Sequence, residues 1–290
     1  MKINLVRRLK HLFLSVFLPF VFLILMSQLN VQAANLLVTT THDGGSGSLR
    51  QAVLDANQNP GPDTITFDLA PQSIITLTYG LPSDFIVISD TLTIDGGTAV
   101  SLSISGNNER NIFSILAGTA VTLTDLTLMH SGDVFVFNAG AIHNDGGYLK
   151  VLRTKLLQNG AADDLFGGAI FNKSGTIILQ DSQLHGNKAE YGAGILNGGD
   201  LEITDSIFQD NAGRFGAGIL NCNGGVVSIK SSRFLNHFTE HVGSAIYNAG
   251  KINGTWPTDH CSKLNSQGIL HITNSTVNDN YSFDAGAGSG

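Results

Sequence analysis

From Asp63 onward, apolar and polar residues alternate with period two in short bursts. Ile65 and Phe67, Ile75 and Leu77, Ile86 and Ile88, and Leu92 and Ile94 are the first such pairs. Alternation of this kind predicts short strands with one face buried. Further on the bursts become a repeat. Gly-Ala-Ile-His-Asn ends at Asn144 and Gly-Ala-Ile-Phe-Asn at Asn172. Ala-Gly-Ile-Leu-Asn ends at Asn197 and again at Asn221, and Ser-Ala-Ile-Tyr-Asn at Asn248. The Ile column at 142, 170, 195, 219 and 246 advances by 28, 25, 24 and 27 residues. A fixed apolar position at that period predicts a stacked solenoid.

Two further phrases fill each repeat. Leu149-Lys-Val151 is followed by Thr154-Lys-Leu156 and Asn159, and Ile177-Ile-Leu179 by Ser182-Gln-Leu184 and Asn187. Leu201-Glu-Ile203 leads to Ser206-Ile-Phe208 and Asn211, and Val227-Ser-Ile229 to Ser232-Arg-Phe234 and His237. The last copy is Leu270-His-Ile272, Ser275-Thr-Val277 and Asn280. Three short strands per coil describe an all-β parallel β-helix, and the crossover preference predicts right-handed winding. Ile, Leu and Phe should line the core. The Asn columns should stack at corners and hydrogen-bond from coil to coil. The Gly before Ile is expected at a tight bend with positive φ.

Residues 34–63 read as an N-terminal cap. Leu36 to Thr40 has a strand pattern, and Ser48 is placed to cap a helix from Leu49 to about Asn57. Leu49, Ala52, Val53 and Ala56 would form its buried face. Residues 1–33 read as a secretory leader: four bases, an apolar run from Leu12 to Met26, then Val31-Gln32-Ala33. Cleavage is expected after Ala33. The solenoid occupies 64–290, and its ending, Ala285-Gly-Ala-Gly-Ser-Gly290, resembles another repeat cut short.

Composition adds constraints. The chain carries 34 Gly but only 6 Pro, in keeping with long ladders and many tight turns. The four bases ahead of Ala34 leave 12 Lys and Arg against 23 acids, a net of −11. That balance argues against nucleic acid or an anionic membrane as partner. No second apolar stretch of spanning length follows the leader. Export permits a disulfide between Cys222 and Cys261.

Gly47-Ser-Leu-Arg-Gln-Ala-Val53, Asp55-Ala-Asn57 and Asp63-Thr-Ile-Thr-Phe67 resemble the CSLREA-type N-terminal motif of secreted bacterial β-helix proteins. Gly47 stands in place of the motif's Cys and Gln51 in place of its Glu. The Gly-Ala-Ile-x-Asn phrases resemble the GGAI repeats of polymorphic outer-membrane proteins, with Phe208-Gln-Asp-Asn211 as the companion motif. Looser copies of that motif begin at Leu156, Leu184 and Val277. The resemblance spans about residues 36–280. It implies a pectin-lyase-like right-handed β-helix at the cell surface and no established reaction.

The candidate chemistry is sparse. Alternation places the residue after each Ile outside: His143, Phe171, Leu196, Leu220 and Tyr247. Such a stripe would suit a glycan ring or a protein partner. Trp256 lies in an insertion, residues 251–267, that is a second candidate for binding. Asp181 and Asp205 share a column whose other places hold Asp125, Ser231 and Asn274, and no Arg stands in phrase beside them. A β-helix lyase acting on an acidic polysaccharide would use such carboxylates to hold Ca²⁺. Asp164 and Glu190 lie on an acidic ridge with Lys188, Arg214, Glu240 and His241, and could approach the spacing of a retaining glycosidase. In both cases a solvated surface reading competes. No metal-ligand spacing, phosphate loop or nucleophile elbow is present, so no cofactor is expected outside the lyase alternative. The reading is an exported cell-surface or secreted scaffold for adhesion or binding. The alternative is a polysaccharide lyase or glycoside hydrolase.

Overall fold

The computed structural model describes residues 33–78, 85–97, 99–132, 140–160, 166–249 and 268–283. Its strands form four parallel sheets of nine, seven, eight and four strands, stacked as a β-solenoid of about seven turns. One coil shows the plan. Ile195–Asn197 belongs to the seven-stranded sheet, Asp200–Thr204 to the nine-stranded, Ile207–Gln209 to the eight-stranded and Ala212–Phe215 to the four-stranded. The next coil opens at Ile219, directly over Ile195. Every Ile of the repeat pairs with the Ile of the next: 142 with 170, 170 with 195, 195 with 219 and 219 with 246.

The fourth strand departs from the three predicted. Lys188–Tyr191, Ala212–Phe215, Phe238–Val242 and Tyr281–Ser282 pair in parallel along the later coils. A tight turn then returns each of the first three to the seven-stranded sheet. The positive φ of that turn sits on Gly192, Gly216 and Gly243, three residues before Ile, and on Gly167 in the coil before. A Cβ on Gly192 would lie 2.6 Å from the Ile195 carbonyl oxygen, so only glycine lets the chain double back so sharply. The glycine immediately before Ile has another role. At Gly194 a Cβ would lie 2.3 Å from the Gly218 carbonyl oxygen, so its small size permits coil-to-coil approach.

The core is the stack of inward residues. Ile170, Ile177, Leu179, Leu184, Ile195, Ile203, Phe208, Ile219 and Phe234 belong to one buried cluster. Phe208 and Phe234 stack at 4.5 Å in adjacent coils. At the N-terminal end the helix, α1, runs Leu49–Gln58 and buries Leu49, Ala52, Val53 and Ala56, the face its periodicity predicts. Ser48 caps it by accepting the Gln51 N–H at 3.2 Å. Asp43 pairs with Arg50 at 2.9 Å and accepts the Thr78 N–H, joining the turn before α1 to the first coil.

Three polar columns run inside the corners. In the first, the Asn144 amide donates to Asn172 (3.0 Å), Asn172 to Asn197 (2.7 Å), Asn197 to Asn221 (2.8 Å) and Asn221 to Asn248 (2.7 Å). In the second, Asn159 donates to Asn187 and Asn187 to Asn211. The third uses hydroxyls: the backbone N–H of residues 154, 182, 206 and 232 donates to Ser182, Ser206, Ser232 and Ser275. These side chains satisfy backbone groups that the corners leave outside the sheet ladders. Asn187 alone makes four such bonds, two to backbone and two along the column: it accepts from the Asn159 backbone and amide, and donates to the Leu156 carbonyl and to Asn211. Asn187→Ala is therefore expected to cost about 3 kcal/mol, since several buried groups lose a partner together. Urea unfolding monitored by circular dichroism checks it.

His237 interrupts the second column. It is 1% exposed, and its Nδ1 accepts the Asn211 backbone N–H at 3.2 Å. The ring lies edge-on to Phe234, while Nε2 is buried without a hydrogen bond. Burial lowers its pKa from 6.5 to about 4, opposed in part by the charge of Asp210. Between those two values the unfolded chain binds a proton that the folded chain refuses. Stability is thus complete above pH 6.5 and declines as pH falls toward 4, by on the order of 3 kcal/mol. The variant His237→Asn, which restores the column's usual residue, should keep its stability near pH 7 and lose this acid sensitivity. Melting temperatures at pH 7 and pH 4.5 compare the two.

Candidate functional site

The residue after each Ile does point away from the lumen, but the middle three of the five do not meet solvent as the alternation predicts. Phe171, Leu196 and Leu220 are 2%, 0% and 0% exposed. They form a second apolar cluster with Phe166, Tyr191, Cys222 and Ala249, outside the solenoid core. The glycine turn is the cause, because it folds the four-stranded sheet back over the seven-stranded one. The aromatic residue just ahead of each of three turn glycines forms the cover. Phe166 stacks on Tyr191 at 5.1 Å, Tyr191 on Phe215 at 5.3 Å, and Phe215 on His241 at 5.0 Å. The sequence carries a signal for this layer in an aromatic-Gly pair: Phe166-Gly167, Tyr191-Gly192 and Phe215-Gly216, each three residues ahead of the Ala-Ile or Gly-Ile step.

What remains accessible is the rim of that cluster. Phe85, Phe215 and Tyr247 pack against it while staying partly exposed. His143 is half-buried and stacks on Phe171 at 5.1 Å, with Phe85 beside it at 5.9 Å. Of the five residues in the predicted stripe, His143 and Tyr247 are the two that keep an accessible face. Trp256 and Cys261 lie outside the described residues, as do Asp164 and the ending at 284–290. Cys222 is disulfide-bonded and buried in this cluster.

Charge sits beside the rings. Arg214 holds Glu190 at 2.5 Å, approaches Glu240 at 3.5 Å and contacts His241 Nε2 at 3.1 Å. Its guanidinium also lies 6.0 Å from the Phe215 ring centre. Glu190 is 7% exposed, so it is a buried anion compensated by Arg214 and not a free carboxylate at a surface. A general acid in a glycosidase requires a carboxyl that gives up its proton to substrate. Paired with Arg214, Glu190 is not placed as that acid, and its partner in the predicted pair, Asp164, lies outside the described residues.

The Asp column occupies the corner between the nine- and eight-stranded sheets. Asp125, Arg153, Asp181, Asp205, Ser231 and Asn274 all take positive φ there, 45° to 56°. An Arg therefore does stand in phrase: Arg153 falls between Asp125 and Asp181. The coil boundary hid it, because a cation replaces the usual small turn residue. Arg153 grips Asp125 through Nε at 2.8 Å and Nη2 at 2.6 Å. The Arg153 hydrogen bond holds the Asp125 carboxyl below its usual range. Arg153, Lys155, Asp125 and Ser101 border a shallow cleft of about 300 Å³. Asp181 and Asp205 are one coil apart and offer at most four carboxylate oxygens, whereas Ca²⁺ takes six to eight. Among the described residues no group of three or more His, Cys, Asp or Glu is placed to hold a metal ion.

No family model and no curated protein matches the chain. Among the described residues no helix is long and apolar enough to cross a membrane.

Burial of Leu196 makes a direct prediction. Leu196→Ala should cost about 2–4 kcal/mol through the cavity it leaves under Tyr191 and Phe171. Hydrogen exchange should quicken in Lys188–Tyr191 and Ala212–Phe215 before the rest of the solenoid, showing that the outer layer rests on this residue.

Proposed function

We propose that the protein is an exported or cell-surface binding scaffold that engages a glycan or a surface protein along the ring-lined rim. The observation that carries this reading is the set of half-exposed rings at the rim of the second apolar cluster, His143 and Tyr247 on the seven-stranded sheet and Phe215 and His241 on the four-stranded one, with Arg214 beside the latter two. Rings stacked on a buried aromatic layer present their exposed edges at little entropic cost. A cation and carboxylates at the rim supply hydrogen bonds to hydroxyls or amides. The leader-like order of residues 1–33 supports export. The likeness of residues 47–53 and of the repeats to CSLREA-type and GGAI-type sequences supports a place at the bacterial surface.

A polysaccharide lyase is the second reading, favoured by the Asp column with Arg153 within it and Lys155 at the cleft. The pairing of Arg153 with Asp125 and the shortage of oxygens around Asp181 and Asp205 weigh against it.

Purified residues 34–290 should bind immobilised acidic and neutral glycans, or whole cells, saturably. Tyr247→Ala combined with Phe215→Ala should lower affinity at least tenfold, with melting followed alongside to separate binding from unfolding. Robust release of unsaturated product from polygalacturonate plus Ca²⁺, read by ultraviolet absorbance, would overturn the scaffold reading.

A further inference from the structure

Asp63 opens the strand Asp63–Phe67, which pairs with the first strand, Asn35–Val38. Its side chain is buried, with the residue 1% exposed. Oδ1 accepts the Ala34 backbone N–H at 2.7 Å and the Asn59 amide at 2.8 Å. Oδ2 is equally buried and has no hydrogen-bond partner. Among the described residues no Lys, Arg or His forms an ion pair with it. A buried carboxylate served by two neutral donors, with one oxygen left bare, lacks the cation that normally accompanies it.

The nearest nitrogen belongs to a particular residue. Ala34 is the first residue after Val31-Gln32-Ala33, the cleavage signal read from the sequence. Ala33 is exposed, and the compact unit begins with it. We propose that Asp63 is a receptor for the mature N-terminus: leader peptidase hydrolyses the Ala33–Ala34 bond, and Asp63 binds the α-ammonium so created. Water splits the amide, leaving a carboxylate on Ala33 and an ammonium on Ala34. The Ala34 nitrogen, which now offers Asp63 one N–H, gains a positive charge and two further N–H bonds that can serve Oδ2. The nitrogen need not travel. The Ala34 carbonyl accepts the Thr64 N–H at 2.9 Å and Asp63 N–H donates to the Thr91 carbonyl at 3.0 Å, so both partners are fixed by the sheet. A cut one residue to either side would place the ammonium on Ala33 or Asn35, away from this carboxylate. Cleavage thus completes the fold at the rim of the solenoid.

The inference rests on the export reading, and two measurements keep them apart. The intact mass of the protein recovered after secretion should begin at Ala34. A mass that retains residues 1–33 overturns the processing step together with the export route. The contact itself is judged by melting. Chains released from a cleavable fusion are compared when they begin at Ala34 and when they begin with a Gly-Ser extension ahead of it. The Ala34 chain should melt about 5 °C higher. That gap should close in Asp63→Asn, and should close as pH rises past the α-amino range, since the ion pair raises the ammonium's pKa above about 8 and its contribution exists only below. Acetylation of Ala34, with Asp63 intact, should behave like the extension and serves if Asp63→Asn fails to fold. Equal melting of the Ala34 and extended chains, or an equal gap in Asp63→Asn, would overturn the proposal.

Discussion

Coil-to-coil registry is maintained by side chains that reach up the stack at each corner. Strand pairing alone fixes neighbouring residues where the chain is straight, but every coil must also bend several times, and each bend strips backbone groups of their ladder partners. Asn144, Asn172, Asn197, Asn221 and Asn248 meet that need at one corner, Asn159, Asn187 and Asn211 at another, and Ser182, Ser206, Ser232 and Ser275 at a third. Because each amide both donates and accepts, a column is a continuous chain of bonds in which every member depends on the ones above and below. The apolar core fills the space that these corners define. Ile195 can sit over Ile170 coil after coil because the corner beside it cannot slip.

This dependence explains what the sequence revealed. Ile, Asn and Ser recur at fixed intervals because a stacked side chain must match its neighbours in size and in hydrogen-bonding capacity. Helix α1 was legible for a different reason: Ser48 as cap and apolar residues at helical spacing are local signals that need no partner. The four-stranded sheet obeys neither rule. Lys188-Ala-Glu-Tyr191, Ala212-Gly-Arg-Phe215 and Phe238-Thr-Glu-His-Val242 share little beyond a ring near the end. They pair through the backbone, so their only recurring mark is the ring ahead of the turn glycine, which stacks on the ring of the next coil. Arg153 escaped notice similarly, since positive φ at that corner constrains the backbone and not the charge.

The outer layer also changes where chemistry can reside. Residues read as an exposed stripe became the floor of a buried layer, and the surface moved outward to Phe215, His241 and Arg214. Glu190 illustrates the cost of reading charge from a linear ridge: burial beneath the outer layer gave it an Arg partner and removed it from solvent. The candidate site was therefore visible only in part. His143 and Tyr247 were reachable from periodicity, whereas their neighbours came from a sheet that the period did not announce.

The corner at Asn248 carries one more consequence. Asn144 closes its corner on the Gly147 carbonyl, three residues on, at 3.0 Å. Asn248 closes the equivalent corner on the Gly268 carbonyl, twenty residues on, at 2.8 Å. The same hydrogen bond closes the corner at both lengths, so its geometry does not depend on how many residues connect its ends. Such a corner tolerates a change in the length of its connection, because the bond that closes it is made by the residues at either end. A lineage built on this fold can diversify its surface without renegotiating its core.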